Sequence, residues 1–134
     1  AGMYSAQEDG IVVKYDLNGT KQWAKPISGT QDDRCTAVAV SGTDLLIAGY
    51  TSSTDLSFSD IETQGGYEGF VYKMTSDGEP VWWTHLGSTG RDRFSGICTV
   101  SGGFAVSGYT VMADGDFASL NALGNEEAFV ARFG

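Results

Sequence analysis

Two aspartate–arginine pairs, Asp33-Arg34 and Asp92-Arg93, stand 59 residues apart in this chain. A carboxylate beside a planar, five-donor guanidinium can grip a ligand, assist catalysis or lock a turn. Catalysis needs a partner nucleophile or a second acid, and none recurs with the pairs. The expected roles are therefore a turn cap for Asp and a bridge to a neighbouring element for Arg. Asp55 and Asp114 keep the same spacing, and Asp114-Gly115-Asp116 sets two carboxylates around one flexible residue. Hard oxygens of this kind suit Ca²⁺. The matching stretch, however, reads Asp55-Leu56-Ser57, and a calcium loop carries a longer periodic ligand pattern, so solubility and turn capping are expected instead. Asp33, Arg34, Asp55, Asp92, Arg93, Asp114 and Asp116 form the candidate ligand-binding face. No catalytic residue, cofactor or metal is expected, Asp114 and Asp116 being the weak candidates for a metal.

The other reactive side chains are sparse. His85 is the single histidine and aligns with Pro26 at the same offset, and no Gly-x-Ser-x-Gly element accompanies it, so a hydrolase triad has no support. Cys35 and Cys98 align with Phe94 and Ala39, which places them in different units, as small buried hydrophobes rather than a disulfide. One histidine and two cysteines cannot assemble a zinc cluster. Trp23 and Trp82 match across the offset. Such aromatics can stack on a sugar ring, but recurring tryptophans are more often wedges between packed units. Asn18-Gly19-Thr20 matches a glycosylation sequon that a hairpin turn explains equally well.

Composition bounds the partners. The 134 residues carry 17 acidic and 8 basic side chains, a net charge of −9. Such a surface repels phosphate backbones, which argues against nucleic acid and against anionic membranes. Apolar runs such as Leu45-Leu46-Ile47-Ala48 fall far short of the roughly 18–20 residues that span a bilayer, so no membrane insertion is expected. The start, Ala1-Gly2-Met3-Tyr4-Ser5, has neither a basic nor an apolar signal stretch, and its lack of an initiator Met suggests a processed or excised chain. At 41% hydrophobic residues with 19 glycines and 2 prolines, the chain reads as one globular domain with many tight turns.

The elements that must position these side chains follow from the 59-residue period. Gly10-Ile11-Val12-Val13-Lys14 is echoed by Gly69-Phe70-Val71-Tyr72-Lys73 and again by Ala128-Phe129-Val130-Ala131-Arg132. The offset also carries Asn18-Gly19 to Asp77-Gly78, Gly49-Tyr50-Thr51 to Gly108-Tyr109-Thr110, Phe58 to Phe117 and Gly65 to Gly124. Fourteen identities fall in 59 aligned positions without a gap. Each unit reads as four short strands, Asp33–Val40, Leu45–Thr51, Gly69–Thr75 and Val81–Leu86, with Asp77-Gly78 suited to a two-residue hairpin of positive φ. No segment has a 3.6-residue apolar period, so almost no helix is expected.

Phe-Val-x-Lys, Asp-Gly, Trp, Asp-Asp-Arg and a strand closing in Ala-Gly-Tyr-Thr-Ser resemble the bacterial β-propeller repeats of large surface and secreted proteins, over nearly the whole chain. The resemblance implies an all-β fold of four-stranded antiparallel blades, about two per chain: a partial blade over 1–32, a full one over 33–91 and a partial one over 92–134. It also implies an extracellular or cell-surface protein, and a face built from the connections after the second and fourth strands. Asp32, Asp33, Asp55, Asp60, Glu62, Asp92, Asp114, Asp116, Glu126 and Glu127 fall in or beside those loops. The function expected is a non-catalytic binding or scaffold module with a protein or glycan ligand. A carbohydrate-binding propeller lectin is the alternative, and an enzyme using the propeller face the third reading. Closed propellers need roughly four to eight blades, so a homo-oligomer or membership of a larger propeller is expected. Three copies would give about six blades, four about eight.

Overall fold

A computed structural model describes residues 7–60, 62–120 and 125–134. The segments Ala1–Ala6 and 121–124, with the strand tail expected at Ala1–Ser5 and the matched Gly124, lie outside the described residues. The fold is all-β. Among the described residues nine strands follow in order: β1 Gly10–Tyr15, β2 Lys21–Ile27, β3 Asp33–Ser41, β4 Asp44–Thr51, β5 Glu68–Met74, β6 Pro80–Leu86, β7 Asp92–Val100, β8 Gly103–Thr110 and β9 Glu127–Phe133. Two 3₁₀ turns, Leu56–Phe58 and Gly115–Phe117, are the helical segments among the described residues. These strands form antiparallel sheets of two (β1-β2), four (β3-β4-β5-β6) and three (β7-β8-β9), each in sequence order, and among the described residues no sheet closes on itself.

The four-stranded sheet lies between the other two, and its sequence shows why. β4 is buried almost throughout because both of its faces are covered. Ile47 points with Phe70, Tyr72 and Met74 into a cluster completed by Ile27 and Phe58, against which Val12 and Trp23 of the first sheet pack. Leu46, Ala48 and Val71 point the other way, into a cluster with Phe94, Phe104 and Val106 of the third sheet. Trp23 donates its indole N–H to the Ser76 carbonyl at 3.3 Å, and Trp82 stacks on Phe104 at 5.9 Å, so both tryptophans join neighbouring sheets. Gly69 makes one close approach possible: a Cβ there would lie 2.5 Å from the Phe94 ring.

Irregularities fall at matched places. Bulges interrupt the register between Cys35 and Ala37 and between Phe94 and Gly96, and again at Lys14/Tyr15 and Lys73/Met74. The hairpins at Asn18-Gly19 and Asp77-Gly78 are present, but they are not two-residue turns of positive φ. Tyr15 pairs with Lys21 and Met74 with Pro80, so each loop is longer. Only the glycines are left-handed, at φ 80° and 83°. Asp16 Oδ1 accepts the Asn18 and Thr20 N–H groups, and Thr75 Oγ1 accepts those of Asp77 and Glu79. These side-chain-capped loops satisfy the backbone without forcing Asn18 or Asp77 to positive φ.

Cys98 also departs from expectation, being exposed. After the bulge at Phe94/Gly96 the alternation of β7 turns Ile97 inward and leaves Cys98 outward. Cys35 is half-buried, packed against the first core cluster, and both cysteines are free thiols.

Candidate functional site

The antiparallel order brings the starts of β3, β5, β7 and β9 to the same end of the molecule as the ends of β4, β6 and β8. Two cross-strand rows lie there: Asp33 beside Thr51 beside Glu68, and Asp92 beside Thr110 beside Glu127. Asp33, Thr51, Glu68, Asp92 and Thr110 are buried to 0–1% exposure, an unusual density of polar groups that must find partners.

The aspartates find theirs in the loops. Asp33 Oδ2 accepts the Gly29 N–H at 2.6 Å and the Ser53 hydroxyl at 2.9 Å, while Oδ1 accepts the Thr51 hydroxyl at 2.5 Å. Asp92 Oδ2 accepts the Ser88 N–H at 2.6 Å, and the Ser88 hydroxyl donates to the same carboxylate at 2.9 Å. Burial pushes both carboxyls above the usual carboxylate range despite these donors. Asp55 accepts both the N–H and the hydroxyl of Thr30 at 2.9 Å, and Asp114 takes the same pair from Thr89 at 2.8 and 2.5 Å. The Thr89 donors hold the Asp114 carboxyl below its ordinary value. Asp116 Oδ2 accepts the Gly87 N–H at 2.9 Å.

These contacts define what the acidic loops do chemically. Asp33, Asp55, Asp92, Asp114 and Asp116 all spend lone pairs on backbone N–H groups, fixing the turns that join one sheet to the next. The two weak metal candidates are thereby engaged by different donors, Asp114 by Thr89 and Asp116 by Gly87. Among the described residues no group of three or more His, Cys, Asp or Glu side chains is placed to hold a metal ion. Asp60, Glu62 and Glu126 are exposed, and Asp32 accepts the Tyr67 hydroxyl at 3.1 Å and the Glu8 N–H at 3.2 Å.

The arginines diverge. Arg34 forms a two-pronged ion pair with Glu8, through Nε and Nη2. Arg93 reaches instead to the preceding sheet, its guanidinium 4.4 Å from the Tyr50 ring centroid and 4.9 Å from that of Tyr67, with Tyr109 at 5.9 Å.

Sequence reasoning missed one acid–base pair. Glu68 Oε2 lies 3.5 Å from His85 Nδ1, an ion pair too long to count as a hydrogen bond. Glu68 is fully buried, its other oxygen accepting the Gln64 N–H at 2.9 Å, and its carboxylate fills the space where a Gly87 side chain would sit. The carboxylate raises the His85 pKa. The available signal was the recurrence of acid at the start of this strand, Asp9, Glu68 and Glu127, each 59 residues on. The glutamate is also flanked by Gly87, which only a close approach requires. Thr30 and Thr89, an identity at the same offset, are the other pair overlooked.

Compared with known proteins, the chain matches no family model and no curated protein.

Proposed function

We propose that this chain is a non-catalytic binding or scaffold module built of β-propeller blades, of the kind carried by bacterial surface and secreted proteins, and that its blades close into a ring with further copies. The observation that carries the reading is the doubled carboxylate network at one end of the sheets. In both units the recurring acids anchor turns instead of addressing a nucleophile, which makes that end a rigid, acidic platform.

The stacking of the sheets supports the blade reading. The four-stranded sheet has an apolar neighbour on each face, and Trp23 and Trp82 each wedge toward the next sheet. The first sheet has two described strands, and a groove of about 560 Å³ opens beside β1, lined by Ile11, Val13, Tyr15, Val38 and Leu45. Val130 on the third sheet is 78% exposed. Apolar strand surface of this extent favours completion by further blades.

The lectin reading is weaker because Trp82 already stacks on Phe104, and an enzyme reading would rest on His85 and Glu68. Glu68 is sealed from solvent, and among the described residues no hydroxyl or thiol nucleophile is bonded to His85, which favours a structural ion pair.

Light scattering after size exclusion tests ring closure. The expected mass is three or four times the 14.2 kDa of one chain. A folded, non-aggregating monomer would refute it. A glycan array separates scaffold from lectin: strong binding competed by free sugar would overturn the scaffold reading.

A further inference from the structure

Arg34 and Arg93 occupy matched positions, yet their partners differ in kind. The residue facing Arg34 is Glu8; 59 positions on, the residue facing Arg93 is Tyr67. One guanidinium is therefore neutralised by a carboxylate of the chain, and among the described residues the other has no such partner. Tyrosine rings hold Arg93 through their faces, which positions the cation but accepts none of its five N–H donors. Arg93 Nε is buried without an acceptor, and among the described residues no carboxylate lies within ion-pair distance of the guanidinium. Arg91 and Lys21 also have no ion pair among the described residues, but they are exposed to water, whereas the Nε of Arg93 is buried.

The surrounding contacts hold the group still. Tyr50 and Tyr67 meet edge to face at 5.2 Å, and Tyr67 is tied by its hydroxyl to Asp32 at 3.1 Å. The fork is thus preorganised, and little side-chain entropy remains to be lost on binding. Because Nε is buried, the fork is reached at its two terminal nitrogens, from which a carboxylate is bound end-on by two parallel N–H···O bonds. Glu8 on Arg34 displays a two-pronged carboxylate pairing at the matched position, there side-on through Nε and Nη2.

From this we infer that Arg93 is a recognition site for a small molecule bearing a free carboxylate, with Tyr50 and Tyr67 as positioning residues. The inference rests on reading this end as a binding face and gives that face a ligand class. Glu8 acts at Arg34 as a built-in occupant of the equivalent site.

The test follows the arginine Nε–H signals of the intact chain by ¹⁵N NMR during titration with glucuronate, with glucose as the neutral counterpart. Glucuronate shifts the Arg93 Nε–H saturably, glucose does not, and Arg93→Lys weakens binding about tenfold or more because the fork is lost. Glu8→Gln empties the Arg34 fork and adds a second saturable response there, an arm that does not depend on the Arg93 variant folding. An Arg93 signal that stays fixed, or moves equally with glucose, overturns the inference. If loop amides respond while Arg93 is silent, the binding face stands and this ligand class fails. A shift that grows with protein concentration alone assigns the carboxylate to a neighbouring copy and likewise overturns the small-molecule site.

Discussion

Replacing Phe94 by alanine removes the side chain that joins the third sheet to the second. Phe94 is fully buried, lies edge to face with Phe129 at 5.8 Å, and packs in one cluster with Leu46, Ala48, Val71, Phe104 and Val106. An aromatic side chain buries about 150–250 Å², which at about 25 cal/mol per Å² sets a ceiling of about 4–6 kcal/mol. Core Phe→Ala changes cost about 3–5 kcal/mol once the cavity is included. Here the cavity collapses poorly, because its floor is the backbone of Gly69, with no side chain to move in. A loss of about 4 kcal/mol is expected, which for a chain of 134 residues lowers Tm by about 12–20 °C. Thermal unfolding followed by circular dichroism reads it, with every variant at one fixed protein concentration because association makes Tm concentration-dependent. Leu17→Ala, in the exposed loop between β1 and β2, is the control and is expected within about 0.5 kcal/mol of wild type. A Phe94→Ala loss below about 1 kcal/mol would refute the packing assigned to this ring.

Two further outcomes follow from the titratable groups. With a disulfide-exchange reagent near neutral pH, exposed Cys98 reacts promptly, while Cys35, whose thiol burial pushes up to about 11, reacts only as the chain unfolds; two fast equivalents would contradict the burial of Cys35. His85 gains affinity for its proton from Glu68, so the pair's stabilisation is present below the ordinary histidine value of 6.5 and is lost as pH rises through the higher folded value. Wild type therefore loses stability relative to His85→Gln above pH 6.5, by up to about 1 kcal/mol, and parallel denaturant midpoints across that range would remove the ion pair from the argument.

Most of the strand pattern was legible because period-2 alternation and the 59-residue offset report backbone requirements directly. Gly69 keeps its identity with Gly10 since each lies where a side chain would strike the next sheet, Phe94 in one case and the Cys35 sulfur in the other. What was not legible is what depends on through-space partners. The outward face of Cys98 follows from a bulge that no local residue announces. The two-residue hairpin was misread because Asp16 and Thr75, outside the Asn-Gly and Asp-Gly pairs, cap the loops. Glu68 and His85 are 17 positions apart and meet only because β5 and β6 pair.

The loop network separates what must recur from what is free to differ. Asp33 and Asp92 each need a hydroxyl near Oδ2, yet the chain supplies it from opposite sides. In one unit Ser53 provides it across Gly29, where a Cβ would lie 2.3 Å from the serine Cβ. In the other, the residue matching Gly29 is Ser88, which donates itself, and the residue matching Ser53 is Met112. A serine cannot occupy both places at once, so the exchange is a paired one and the carboxylate stays satisfied. Constraint therefore falls on the hydrogen bond rather than on the residue that makes it. The same reasoning identifies positions that differ without compensation. Ser57 and Asp116 both receive the N–H of the strand end, at Ser28 and Gly87, so that exchange is neutral for the turn. Pro26 against His85 and Glu8 against Tyr67 are not neutral: the first introduces a charge pair, and the second strips Arg93 of its counter-ion. Where the framework is indifferent, a change that leaves a buried donor unpaired costs stability and has to be sustained by something else. That places the distinguishing chemistry of this chain at Arg93 and at Glu68–His85, beside a framework that its two units otherwise share.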